Sequence, residues 1–315
     1  MQKTKSILYF LILISLSHSS CKIQKQSDSK GRDADNAESQ SLYFGQTPPS
    51  TTPQKFAPGI ISNSDRYEFG CTLSKDGREF YFGVDNDGKM EIHRTILQKG
   101  EWTDPENIFP NDSCGYNDPM FSNDENRLYF ISNRPLQQHD TLKDIDIWYI
   151  ERLNDDWSDP INLGAPVNNH LDQYYISFNE ENTLYFGTKD TTEGAPSYAF
   201  DIYKSEIKDG RYSTPQKLPS QINTKRYEAD VFIAPDESYM IFCSIRRHGF
   251  GIGDLYISFK DASGNWTEAI SMGDKINTEH HELCPYVTKD GQYFFYTSNK
   301  DIYWVSTNIF EELKK

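Results

Sequence analysis

Apolar positions in this chain come in short, aromatic-rich runs, each led in by a polar turn. The runs Phe80-Tyr81-Phe82, Leu128-Tyr129-Phe130, Leu184-Tyr185-Phe186, Met240-Ile241-Phe242 and Phe294-Phe295-Tyr296 follow Lys75-Asp76-Gly77, Asn123-Asp124-Glu125-Asn126, Asn179-Glu180-Glu181-Asn182, Pro235-Asp236-Glu237-Ser238 and Lys289-Asp290-Gly291. Runs of this length and composition between turn residues predict strands, with few helices. A second pattern comes after each run: Glu91-Ile92-His93, Asp146-Ile147-Trp148, Asp201-Ile202-Tyr203, Asp254-Leu255-Tyr256 and Asp301-Ile302-Tyr303. A third is Trp102-Thr-Asp-Pro105, Trp157-Ser-Asp-Pro160, Tyr212-Ser-Thr-Pro215 and Trp266-Thr-Glu-Ala269, whose last positions are 55, 55 and 54 residues apart. Equal steps of this size mark a repeat architecture. Each unit has four strands: A before the turn, B the aromatic run, C the Asp-Ile-aromatic strand, and D after Trp-x-x-Pro.

The fifth unit lacks a D strand. Its counterpart stands at the other end of the chain, where Thr52-Pro53-Gln54-Lys55-Phe56 nearly repeats Thr214-Pro215-Gln216-Lys217-Leu218. This predicts an all-β fold, a five-bladed β-propeller of four-stranded blades whose ring is closed by the N-terminal strand. Closure leaves no long sheet edge exposed. A six-bladed ring, the alternative, needs a further unit of about 50 residues, and the chain has none to spare.

Composition narrows the function. The 315 residues carry a net charge of −15 with no basic cluster, which argues against nucleic acid as a partner. Residues 1–20 read as a signal peptide: Lys3 and Lys5, an apolar run from Ile7 to Leu16, then small polar residues before Cys21. Their loss removes two lysines and no acid, taking the net charge to −17. Residues 21–42 are polar and read as a disordered tether, leaving residues 43–315 as a single propeller domain. A cysteine after such a segment resembles the lipobox of bacterial lipoproteins, although His18 stands where that motif usually has leucine. The resemblance implies lipidation of Cys21, membrane attachment, and a place at the bacterial cell envelope on the outer membrane, facing the periplasm or the surface. Cys71, Cys114, Cys243 and Cys284 fit no zinc spacing and read as buried thiols, with Cys71 and Cys284 the one pair placed for a disulfide.

The Asp-Gly turns, Leu-Tyr-Phe strands, Asp-Ile-Tyr and Trp-x-x-Pro together resemble the WD40-like (PD40) repeat of the TolB-type propeller family, over Thr52 to about Ser306. The resemblance implies fold far more than chemistry.

Residue types that recur in every blade serve a need of every blade, so departures are the better leads to a site. Strand A and the B–C loop share one mouth of the channel. Just before strand A the sequence aligns Glu68, Tyr116, Asp172, Glu228 and Glu282, with Asp118 and Asp230 two places on. The B–C loops add Arg134 and, in the least repetitive blade, Arg246-Arg247-His248 followed by glycines, a set suited to carboxylate or phosphate groups. His281 adjoins Glu282. The mouth formed by these residues is expected to bind an envelope protein, peptide or glycan without catalysis. The alternative is a glycoside hydrolase or polysaccharide lyase using the carboxylates. No metal site and no cofactor are expected: His280 and His281 point opposite ways on an extended chain, and Asp85-Asn86-Asp87-Gly88 lacks the closing glutamate of a calcium loop. No nucleophile elbow or phosphate-binding loop is present.

Overall fold

The computed structural model describes residues 42–136, 144–154 and 156–314. The signal segment, Cys21, nearly all of the tether and the middle of the blade 2 B–C loop lie outside the described residues. Five small antiparallel sheets form a five-bladed propeller. Blade 1 runs Tyr67–Leu73, Glu79–Asn86, Lys89–Gln98 and Glu106–Asn107; blade 2 runs Tyr116–Phe121, Arg127–Ser132, Asp146–Leu153 and Ile161–Asn162. Blade 3 has Gln173–Phe178, Leu184–Lys189, Phe200–Ser205 and Gln216–Lys217, and blade 4 has Glu228–Ile233, Tyr239–Ser244, Asp254–Phe259 and Ile270–Ser271. Blade 5 takes Leu283–Val287, Tyr293–Ser298 and Asp301–Ser306 from the C-terminal end and Gln54–Lys55 from the N-terminal end.

Closure occurs where the repeat places it. Gln54 pairs with Trp304 and Lys55 with Tyr303, while the Phe56 N–H donates to Ile302 O at 2.8 Å. Lys55 Nζ lies 2.6 Å from the Asp301 carboxylate. In blade 3, Lys217 meets Asp201 in the same way, which is why the two Thr-Pro-Gln-Lys segments look alike. The Asp of each Asp-Ile pair therefore braces a neighbouring element: Asp146 accepts from Asn162, and Asp254 from the Phe250 and Gly251 N–H groups. The residue after it, Ile92, Ile147, Ile202, Leu255 or Ile302, is buried in every blade.

Between blades the aromatic column acts as a plug. Trp157 Nε1 donates to Tyr81 Oη of blade 1 at 3.1 Å, and Trp102 stacks on Phe44 at 4.2 Å. Tyr43 also packs on Trp304. All four described cysteines are buried and free, Cys71 and Cys284 included.

Candidate functional site

Strand A is the edge strand of each sheet and touches the A strands of other blades, so it lines the axis. Every A strand contains a register shift at one position, held by a residue in the left-handed region: Gly70, Asp118, Tyr175, Asp230 and Cys284, with φ between 47° and 53°. Four of these are not glycine, and a non-glycine residue in that region costs roughly 1 kcal/mol or more. A bulge repeated at this cost re-aims one side chain per blade. Here the aim is toward the axis. Cys284 Sγ lies 3.8 Å from Asp118 Oδ1. Gly70 leaves the space: a Cβ there would sit 3.0 Å from Asp118 Oδ1 and 3.5 Å from Cys284 Sγ.

Asp118 and Asp230 thus form the floor of the mouth, each 6% exposed. Among the described residues neither has an ion pair with Lys, Arg or His. Burial carries the Asp230 carboxyl up to about 7, against a downward pull from the Cys284 N–H. Burial also raises Asp118 well above the ordinary range, helped by Asp230. Around the floor stands an aromatic collar: Tyr67 against Phe69 (5.5 Å between centroids), Tyr174 against Phe200 (5.1 Å), Phe200 against Tyr227 (5.7 Å), and Tyr227 against His281 (6.4 Å). Burial raises Tyr174 to about 12, and both aspartates add to the shift. Next to Asp118, the Asn117 Oδ1 is buried and unpartnered. Deeper in the channel, Tyr175 Oη donates to Pro285 O across the axis at 3.0 Å.

The acidic column turns inward instead. Glu228 accepts from Thr224 N (2.7 Å), Thr224 Oγ1 (2.9 Å) and Ser244 Oγ (2.7 Å). Glu282 repeats the arrangement with Thr278 and Ser298, and Glu68 holds Asn63 and Arg66. All three are fully buried and pin the D–A connection to their own blade. Asp172 does not belong to this column. Gln173 pairs with Thr188 as Glu228 pairs with Ser244, and because a strand alternates its faces, one residue of register turns Asp172 the other way, onto the Ile145 N–H at 3.0 Å. The column holds three carboxylates rather than four.

Arg134 is paired with Asp112 and Tyr116 inside blade 2. Arg246 donates to Ser244 Oγ, Ala269 O and Ile222 O and lies 4.7 Å over the Tyr256 ring. Arg247 and His248 are exposed. Arg246→Ala is therefore expected to destabilise the fold by about 2 kcal/mol, the scale of hydrogen bonds to a charged group. Arg247→Ala leaves it within about 0.5 kcal/mol. Thermal melts of the two variants check both. The glycines of this loop are packed rather than flexible: a Cβ on Gly251 would lie 2.2 Å from His280 O, and one on Gly253 2.6 Å from His281 Nε2. His281 sits 3.3 Å from Cys243 Sγ, and burial lowers its pKa against the upward pull of Glu282 and Asp254.

Sequence reasoning missed the collar and the clamps behind it. Asn168, Asn223 and Asn277 each bond both the N–H and the C=O of the buried strand C residue opposite, Ile147, Ile202 and Leu255. Their signal was in the repeat, as Val-Asn, Ile-Asn and Ile-Asn at steps of 55 and 54 residues. Among the described residues no group of three or more His, Cys, Asp and Glu is placed to hold a metal ion, and no helix is long and apolar enough to cross a membrane.

Neither a protein-family model nor a curated protein matches this chain. Solved structures do. The catalytic domain of Coprinopsis cinerea GH62 alpha-L-arabinofuranosidase superposes with a TM-score of 0.51 at 10% identity, over 83% of this chain and 99% of that one. TolB from Acinetobacter baumannii gives 0.49 at 12% identity, over 78% of this chain, which spans 55% of the TolB chain. An oligogalacturonate lyase in complex with manganese gives 0.43 at 11%, over 83% and 71%. At such identities, likeness establishes architecture and no activity.

Proposed function

We propose that this chain is an exported, lipid-anchored propeller of the bacterial envelope that binds a protein or peptide partner on the face carrying the B–C loops. One observation carries the reading. Consecutive B–C loops of blades 2, 3 and 4 expose Leu136 (56%), Tyr198 (48%), Phe250 (48%) and Ile252 (66%) around one mouth. Large apolar side chains gathered on one face mark an interaction surface. The packed glycines hold the blade 4 loop in place, so its apolar side chains are presented without much ordering cost. Below them the aromatic collar and two acids without a counter-charge suit a cationic side chain of the partner.

The test is affinity capture from envelope extracts with the full chain. Tyr198→Ser, Phe250→Ser and Ile252→Ser combined are expected to keep the melting temperature and lose the captured partner; capture that survives the triple change sinks the reading. Cys21→Ala is expected to move the protein from the membrane pellet to the soluble fraction, and unchanged fractionation removes the anchor. A hydrolase is the second reading, favoured by Asp118 and Asp230 as two buried carboxyls facing the axis. It predicts release of reducing ends from an envelope or environmental glycan, lost in a folded Asp230→Asn variant.

A further inference from the structure

The seam between blades 2 and 3 breaks the repeat. In three of the other four blades the hairpin after strand C carries a tryptophan, Trp102, Trp157 or Trp266, but in blade 3 it carries Tyr212. At the seam of blades 1 and 2, Trp157 lies 4.5 Å from the Arg152 guanidinium and bonds Tyr81, and the groove beside it is about 330 Å³. At the seam of blades 2 and 3 the cleft reaches about 1000 Å³, the upper end of ligand-sized pockets.

Its lining is specific. Three arginines, Arg127, Arg152 and Arg211, line it against two carboxylates, Asp124 and Glu151, in a chain whose net charge is −15. Arg127 stacks on Tyr149 at 4.6 Å and pairs with Glu151 at 2.8 Å, and Arg152 is held by Glu79 at 3.0 Å. Arg211 is exposed and, among the described residues, has no ion pair. Asn126 and Asn182 line the same space, Asn126 Nδ2 donating to Asp124 and Asn182 Oδ1 accepting from Asn123, and hydrogen-bonding side chains outnumber aliphatic ones around it.

We propose that this cleft binds a short acidic oligosaccharide, a ligand separate from the partner at the channel mouth. Arg211, which has no ion pair among the described residues, takes the carboxylate as a fork. The Asn182 amide N–H groups meet ring hydroxyls, and the Tyr212 ring covers a sugar C–H face. Tyr212 in place of tryptophan is what leaves the room.

Calorimetric titration of the full chain with a uronate trisaccharide, the matching neutral trisaccharide and an acidic hexapeptide tests this. The uronate is expected to bind at least fivefold tighter than the neutral sugar, and added salt to weaken it. Arg211→Ala, an exposed change that leaves the fold intact, lowers affinity at least fivefold. Tyr212→Trp restores the residue of the other three copies and lowers it at least tenfold. Asp230→Asn, at the channel mouth, leaves it unchanged, which separates this cleft from the proposed partner site. Equal binding of the neutral sugar, tighter binding of the peptide, or wild-type affinity in Arg211→Ala overturns the proposal.

Discussion

Phe56→Ala is expected to destabilise the propeller by about 3 to 5 kcal/mol, the scale for removing a buried phenylalanine. The side chain is fully buried and lies at the closing joint of the ring. Its ring centroid is 4.9 Å from Phe295 and 5.2 Å from Trp304 in blade 5, and 5.1 Å from Phe80 in blade 1. One truncation thus loosens the contact of strand D with its own blade and the contact of that blade with the next. Lys55→Ala, beside it, removes only a half-exposed ion pair to Asp301, and such pairs contribute roughly 1 kcal/mol or less. Domains of this size lose roughly 2 to 4 °C in melting temperature per kcal/mol, so Phe56→Ala should melt some 10 °C below wild type and Lys55→Ala close to it. If the two variants melt together, the N-terminal strand is not what closes the ring.

That joint was legible in the chain because closure is written twice, once as an orphan Thr-Pro-Gln-Lys and once as a fifth unit without its D strand. The blades were legible for a related reason: Ile92, Ile147, Ile202, Leu255 and Ile302 meet the same burial in every copy, so the same residue type recurs. The site was less so. Glu68, Glu228 and Glu282 recur because they pin a recurring connection, and a recurring acid looks alike in sequence whether it faces the axis or its own loop. Only register decides, and register depends on cross-strand pairing that the sequence of one strand does not contain; Asp172 and Gln173 exchanged places for that reason. The left-handed column was hidden more completely. Gly70, Asp118, Tyr175, Asp230 and Cys284 share a backbone conformation, but only Asp118 and Asp230 share a side-chain chemistry that the sequence could show, because the ring dictates the bulge and leaves each side chain free to differ.

That freedom makes Asp230 informative, and Asp230→Asn is expected to stabilise the protein at neutral pH. In the folded chain burial carries this carboxyl from the ordinary 3.8 to about 7. Below about pH 4 it is protonated in both folded and unfolded chains and costs nothing. Between about pH 4 and 7 the unfolded chain has released the proton and the folded chain still holds it, so each rise in pH favours unfolding. Above about pH 7 both are ionised and the loss stays constant, at about 4 kcal/mol by the usual conversion. Asparagine keeps an oxygen for the Cys284 N–H and has no charge to bury, so the loss disappears. Melting curves from pH 4 to pH 8 should show the variant and wild type nearly together at pH 4 and the variant several degrees higher at pH 7.5. A variant less stable than wild type at pH 7.5 refutes the argument. A residue that weakens its own fold at working pH is expected where function needs it, so the same substitution should reduce capture of the partner while raising the melting temperature. A purely structural Asp230 would move only the second of these. A catalytic one would also abolish turnover, which capture alone does not read.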